Sequence, residues 1–170
     1  EGTTPMIRAA ASGDVTLMHL LKEHGADPAV RQKNGPPMLM LAAGSGRRGD
    51  HNADAQEYER GTPEELLRAV KVCVEELGLD PNIANDQGDT ALHVAHSGDI
   101  VRYLVAHGAR LDVKNKQGKT PLDVALARID RSNRQLRPDA VAALKELAGG
   151  SSTASAGATT SSTGTKPGSR

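Results

Sequence analysis

The stretch GDTALHVA, residues 88–95, decides how this chain reads. A turn-forming Gly88-Asp89 pair gives way to Thr90, then to a short apolar run with His93 inside it. Threonine is a good helix cap, because its oxygen can accept a bond from one of the first unpaired amides, worth about 1 kcal/mol. A histidine inside an apolar run is either a chemical group or part of the architecture. The rest of the sequence separates the two.

The pattern recurs. GTTPMIRA (2–9), GPPMLMLA (35–42), GDTALHVA (88–95) and GKTPLDVA (118–125) align on their glycines at spacings of 33, 53 and 30 residues. A second landmark repeats between them: HGADP (24–28), LGLDP (77–81) and HGARL (107–111). Thr4, Thr90 and Thr120 stand at cap positions, and Pro5 and Pro121 follow at the first helical position, where no amide donor is missed. Gly25, Gly78 and Gly108 fall where a left-handed residue ends a second helix. Ile100, Val101, Leu104 and Val105 share one face of that helix in the third unit, and Leu17, Leu20 and Leu21 are expected to do the same in the first. A helix–turn–helix of this size cannot bury its apolar face alone, so neighbouring units must stack.

These segments resemble the ankyrin repeat, with its period of 33 residues and its signature T-P-L-H-x-A. TPMIRA (4–9), TALHVA (90–95) and TPLDVA (120–125) match it, and PMLMLA (37–42) is a degenerate copy. The resemblance covers about residues 2–148. It implies an all-α fold: an ankyrin-repeat solenoid of stacked helix–turn–helix units with hairpin-like connecting loops. The repeat domain spans 1–149, in units of about 2–34, 35–87, 88–117 and a capping 118–149. A Gly/Ser/Thr/Ala-rich stretch at 150–170 is expected to be a disordered tail or linker. The wording of the units is similar to that of many bacterial arrays. The chain starts at Glu1 rather than Met and at a hairpin glycine, so we expect it to be a fragment with further repeats upstream.

The resemblance also answers the question about His93. It implies a ring that bonds to the capping threonine and to neighbouring backbone. The other copies carry Ile7, Met40 and Asp123 at this place, which is no metal or catalytic set. Asp123, three residues after Thr120, can reach back to a free amide as in a capping box.

The second unit is 20 residues too long, and the excess lies between its helices, at roughly 46–61. Its second helix resumes with Thr62-Pro63-Glu64-Glu65, a full start signal. The third unit is three residues short between Ala95 and Ile100, and Arg137-Pro138-Asp139 reads as a helix restart ahead of a last apolar stripe.

Several motifs imitate chemistry. GSGRRG (44–49) has the glycine spacing of a dinucleotide loop, but a helix precedes it and a polar loop follows. Asp50, His51 and Asp54, or His93 and His96, fall short of the three or four converging ligands of a zinc site. Cys73 is the single cysteine, so internal disulfides are excluded. We assign no catalytic residue, no metal and no cofactor.

Charge narrows the partner. Lys and Arg number 21 against 21 Asp and Glu, and there is no Trp or Phe, so nothing favours a nucleic-acid surface or a polybasic membrane patch. No apolar run approaches a membrane span. The expected function is a non-catalytic module, monomeric, that binds another protein through hairpin tips and a concave inner-helix face. The tip residues are Lys33 and Asn34, then Asp86, Gln87 and Asp89, then Lys116, Gln117 and Lys119, with Tyr58 as an aromatic anchor in the inserted loop. The alternative is an accessory segment of a longer enzyme. The compartment stays open.

Overall fold

The computed structural model describes residues 4–29, 35–44, 61–132 and 138–151. Among these the chain forms helices α1 (Pro5–Ser12), α2 (Val15–Glu23), α3 (Met38–Ala43), α4 (Pro63–Lys71), α5 (Ala91–Val94), α6 (Gly98–Ala106), α7 (Pro121–Ser132) and α8 (Pro138–Ser151), with no strand. They pack as two layers. The first helices of the units stack in the order α1, α3, α5, α7, and the second helices in the order α2, α4, α6, α8. The core runs through both, from Met6 and Ile7 through Leu39, Met40, Leu66 and Val70 to Leu92, Ile100, Leu104 and Leu144. It is aliphatic throughout, because the composition offers almost nothing else.

Helix starts follow local chemistry. The Thr4 hydroxyl accepts from the Ile7 amide at 3.3 Å, and Asp14 accepts from Leu17 at 2.9 Å. Thr62 and Glu65 close a reciprocal box, Glu65 accepting from the Thr62 amide at 2.7 Å. Pro37 begins α3 without a side-chain cap, the structural mark of the degenerate copy.

The two irregular units depart in different ways. In the second, α4 runs nine residues and continues into five of π-helix, Val72–Glu76, against nine residues for α2 and for α6. Part of the added sequence therefore lengthens a helix, and residues 45–60 lie outside the described ones. The base of the insertion is pinned to the first unit: a Cβ on Gly13 would sit 2.8 Å from Glu65 Cβ, and one on Gly61 would meet the Ser12 carbonyl. In the third unit the deletion leaves α5 only four residues long. Ala95 turns extended after it, and the His96 amide bonds to Ala43 of the preceding unit at 2.9 Å.

Two expectations need correction. On α2, Leu17 and Leu21 are partly buried against the core as expected, but Leu20 is 51% exposed and Met18 is the fully buried residue. Among the described elements this helix packs chiefly on α1 and α4, and its polar side chains reach the π-helical turn. The last helix runs through Gly149 to Ser151, past the boundary drawn at 149.

Candidate functional site

The loops joining the units are built around one residue type. Asn85 and Asn115 each stand three before a glycine, in NDQG and NKQG. The Asn85 side chain accepts from the Gln87 and Asp89 amides, both at 2.9 Å, and Asn115 does the same for Gln117 and Lys119, both at 3.0 Å. Backbone bonds Asn85 N to Asp89 O at 2.9 Å and Asn115 N to Lys119 O at 3.0 Å close each hairpin. Gly88 and Gly118 take φ of 78° and 73°, which a side chain would disfavour. The sequence carries this signal as a shared register, yet the asparagines escaped attention because capping logic stops at the helix.

The two hairpins also bond to each other. The Lys116 amide donates to the Gln87 carbonyl at 2.9 Å, and Asn115 Nδ2 donates to Asp89 Oδ1 at 2.8 Å. His93 supplies a third link. The Thr90 amide donates to its Nδ1 at 3.0 Å, so the ring proton sits on Nε2, which donates to the Lys119 carbonyl at 3.2 Å. The Thr90 hydroxyl lies 3.0 Å from the same Nδ1. His93 is 2% exposed and thus ties its own helix start to the next hairpin.

Asp123 holds the corresponding place one unit on. It accepts from the Thr120 amide at 3.0 Å and hydroxyl at 2.8 Å, while Thr120 accepts from the Asp123 amide at 3.2 Å. The Thr120 amide, then its hydroxyl, hold this carboxyl below the usual Asp range. A depressed folded value stabilises the fold above the unfolded pKa and loses that contribution as pH falls through the folded one. We therefore expect the fall in urea midpoint between about pH 5 and about pH 3 to be smaller in Asp123→Asn than in the parent. Identical falls would remove Asp123 from the acid response.

The tip residues divide by this geometry. Asp86, Gln87, Lys116 and Gln117 are exposed, whereas Asp89 and Lys119 are half-buried between hairpins. Lys33, Asn34 and Tyr58 lie outside the described residues, as do Asp50, His51 and Asp54. Gly44 of the GSGRRG stretch ends α3 in a left-handed turn, at φ of 116°. Gly25, Gly78 and Gly108 take φ of 78°, 64° and 90° directly after the second helices or the π-helical turn. Pro5 and Pro121 open α1 and α7.

Every residue of α3 and α5 is buried. In the first layer the exposed side chains with described burial include Pro5 and Arg8 on α1, and Asp123 and Leu126 on α7.

The second layer carries a polar seam that the sequence did not announce. Glu76 bonds His19 of α2 at 3.0 Å and sits 3.7 Å from Lys22, and the His19 hydrogen bond foremost, with the Lys22 charge behind it, holds its carboxyl low. Its neighbour Glu75 accepts from the Tyr103 hydroxyl of α6 at 2.7 Å. The Tyr103 phenol is raised by desolvation and then by Glu75. Adjacent carboxylates on the π-helical turn thus join the second unit to the units on either side. Cys73, beneath them, is buried, and burial pushes its thiol up to about 12. Among the described residues no three His, Cys, Asp or Glu side chains gather to hold a metal, and no helix is long and apolar enough to cross a membrane.

Two layers of paired helices, joined by hairpins that bond unit to unit, define a helical repeat array. Residues 64–147 match the family described as ankyrin repeats (3 copies). The chain belongs to the ankyrin-repeat family. It is 34% identical over 130 residues to ankyrin repeat and SOCS box protein 16 of Mus musculus, covering 72% of this chain and 25% of that protein. Alpha-latrocrustotoxin-Lt1a of Latrodectus tredecimguttatus is 30% identical over 128 residues, covering 74% of this chain and 8% of the toxin. A putative ankyrin repeat-containing protein of Treponema pallidum (strain Nichols) is 28% identical over 132 residues, covering 66% and 43%. The chain thus spans less than half the length of each of these relatives, and they are animal and bacterial alike. Ankyrin repeats are generally protein-interaction modules.

Proposed function

We propose that this chain is a non-catalytic module that binds another protein through the tips of its hairpins. The observation that carries this reading is the hydrogen bonding of the loops that present Asp86, Gln87, Lys116 and Gln117, by Asn85 and Asn115 from within. Their backbone groups are bound within and between hairpins, so little ordering entropy opposes binding. The exposed charges change sign from Asp86 to Lys116. A partner of complementary mixed charge would be steered onto them, faster at low salt. The buried surfaces of α3 and α5 argue for the tips over the inner-helix face.

The test captures partners from a lysate of the source organism, identifies them, and measures each purified partner by surface plasmon resonance. The Asp86→Lys, Lys116→Glu variant is expected to bind about tenfold more weakly, mostly through slower association. Glu23→Lys, on the exposed end of α2, should leave binding unchanged. Equal affinity in both variants would move the site off the hairpins.

A further inference from the structure

The junction between the third and fourth units is a template for what can dock on the edge of the array. The bonds that cross it include those of the Asn82 side chain to the Gly108 carbonyl and the Arg110 amide, besides Lys116 N to Gln87 O, Asn115 Nδ2 to Asp89 Oδ1, and His93 Nε2 to Lys119 O. Gly88 lies so close to the next hairpin that a Cβ there would be 3.1 Å from Asn115 Cα. Moved on by one unit, Gln87 becomes Gln117, Asp89 becomes Lys119, His93 becomes Asp123 and Gly88 becomes Gly118. Around Gly118 no described atom lies within 4 Å of the equivalent Cβ position. Among the described residues the edge is open, and its chemistry is inverted: an acid is replaced by a base, and a donor by an acceptor.

We infer that this edge, formed by the Gln117 carbonyl, Lys119 and Asp123, docks a turn of a protein partner that carries a carboxylate where the internal hairpin carries the Asn115 amide. An internal hairpin would set an asparagine amide against the Lys119 ammonium and a backbone carbonyl against the Asp123 carboxylate. Both contacts are repulsive or unmatched. The turn that fits donates a backbone N–H to the Gln117 carbonyl and sets a carboxylate on Lys119. This surface shares Gln117 with the hairpin tips, and the Lys119→Asp variant tests it apart from the Asp86→Lys, Lys116→Glu variant that tests the tip reading.

The probes are two synthetic peptides covering residues 110–120, cyclised to hold the turn. One has the parent sequence, a mimic of the internal hairpin. The other carries Asn115→Asp, which keeps the acceptor for the turn and adds the carboxylate. Each is titrated into the 15N-labelled full chain by NMR. The Asp peptide is expected to shift the amides of Gln117, Gly118 and Lys119 and to bind about threefold more tightly than the parent peptide, an advantage that salt weakens. In the Lys119→Asp chain, which keeps its backbone bonds, the preference should reverse. Equal binding of the two peptides, a preference unchanged in Lys119→Asp, or no shift at these amides with either peptide overturns the inference.

Discussion

Replacing Gly98 by valine is expected to lower the stability of the array by about 2–4 kcal/mol, combining overpacking with a lost amide bond. Gly98 is the first residue of α6, and its amide donates to Asp139 Oδ2 of α8 at 2.7 Å. A Cβ at Gly98 would lie 2.8 Å from the Asp139 carbonyl oxygen and 3.2 Å from its carbonyl carbon. Backbone cannot rotate away from such a contact, so α8 must retreat. The α6–α8 contact is the main seat of the last unit, and Ile100, Val101 and Leu104 of α6 and Ala140, Ala143 and Leu144 of α8 are all buried. Urea unfolding followed by circular dichroism reads the loss, and hydrogen exchange should rise first across 138–151. Asp139→Asn keeps an acceptor and loses only the charge, so its effect should be less than half as large. A Gly98→Val midpoint equal to the parent's would show that α8 is seated by its apolar stripe alone.

The second large effect is expected at Leu39, the second residue of α3. Leu39 is 0% exposed, and α3 packs on α1, α4, α5 and the π-helical turn. Leu39→Ala removes the side chain where helices close in from every side, leaving a cavity that short, well-packed neighbours fill poorly. The expected loss is about 2–5 kcal/mol. Because each unit holds only its neighbours, a weakened central unit uncouples the units on either side, and the unfolding transition should broaden as well as shift. Leu20→Ala is the internal comparison: Leu20 is 51% exposed, and the change should stay within about 0.5 kcal/mol. A loss at Leu20 as large as at Leu39 would contradict the assigned core.

Much of this was legible in the sequence. The four glycine-aligned segments carry the repeat, and Thr4, Thr62 and Thr120 with the prolines after them carry the helix starts, because capping is decided within one turn of chain. The positions of Gly25, Gly78 and Gly108 follow for the same reason: a left-handed turn is a local demand. The aliphatic core is a consequence of composition.

What the sequence left open is set by contacts across units. His93 was legible as architecture, but its bond to Lys119 spans 26 residues and depends on how hairpins stack. Asp89 and Lys116 look alike as charged tip residues, yet the first is held by Asn115 and the second is exposed. Asp139 reads as the start of its own helix, but its carboxylate caps α6, 41 residues earlier. Leu20 has the right spacing for a core face and no neighbour to cover it. Periodicity states which residues could share a face, while burial depends on whether a second helix arrives. The sequence by itself determined the helices, their caps and the repeat. Tertiary structure alone decided which charges stay exposed, which are bound between units, and where the edge of the hairpin stack lies open, because those are properties of neighbours brought together only when the units pack.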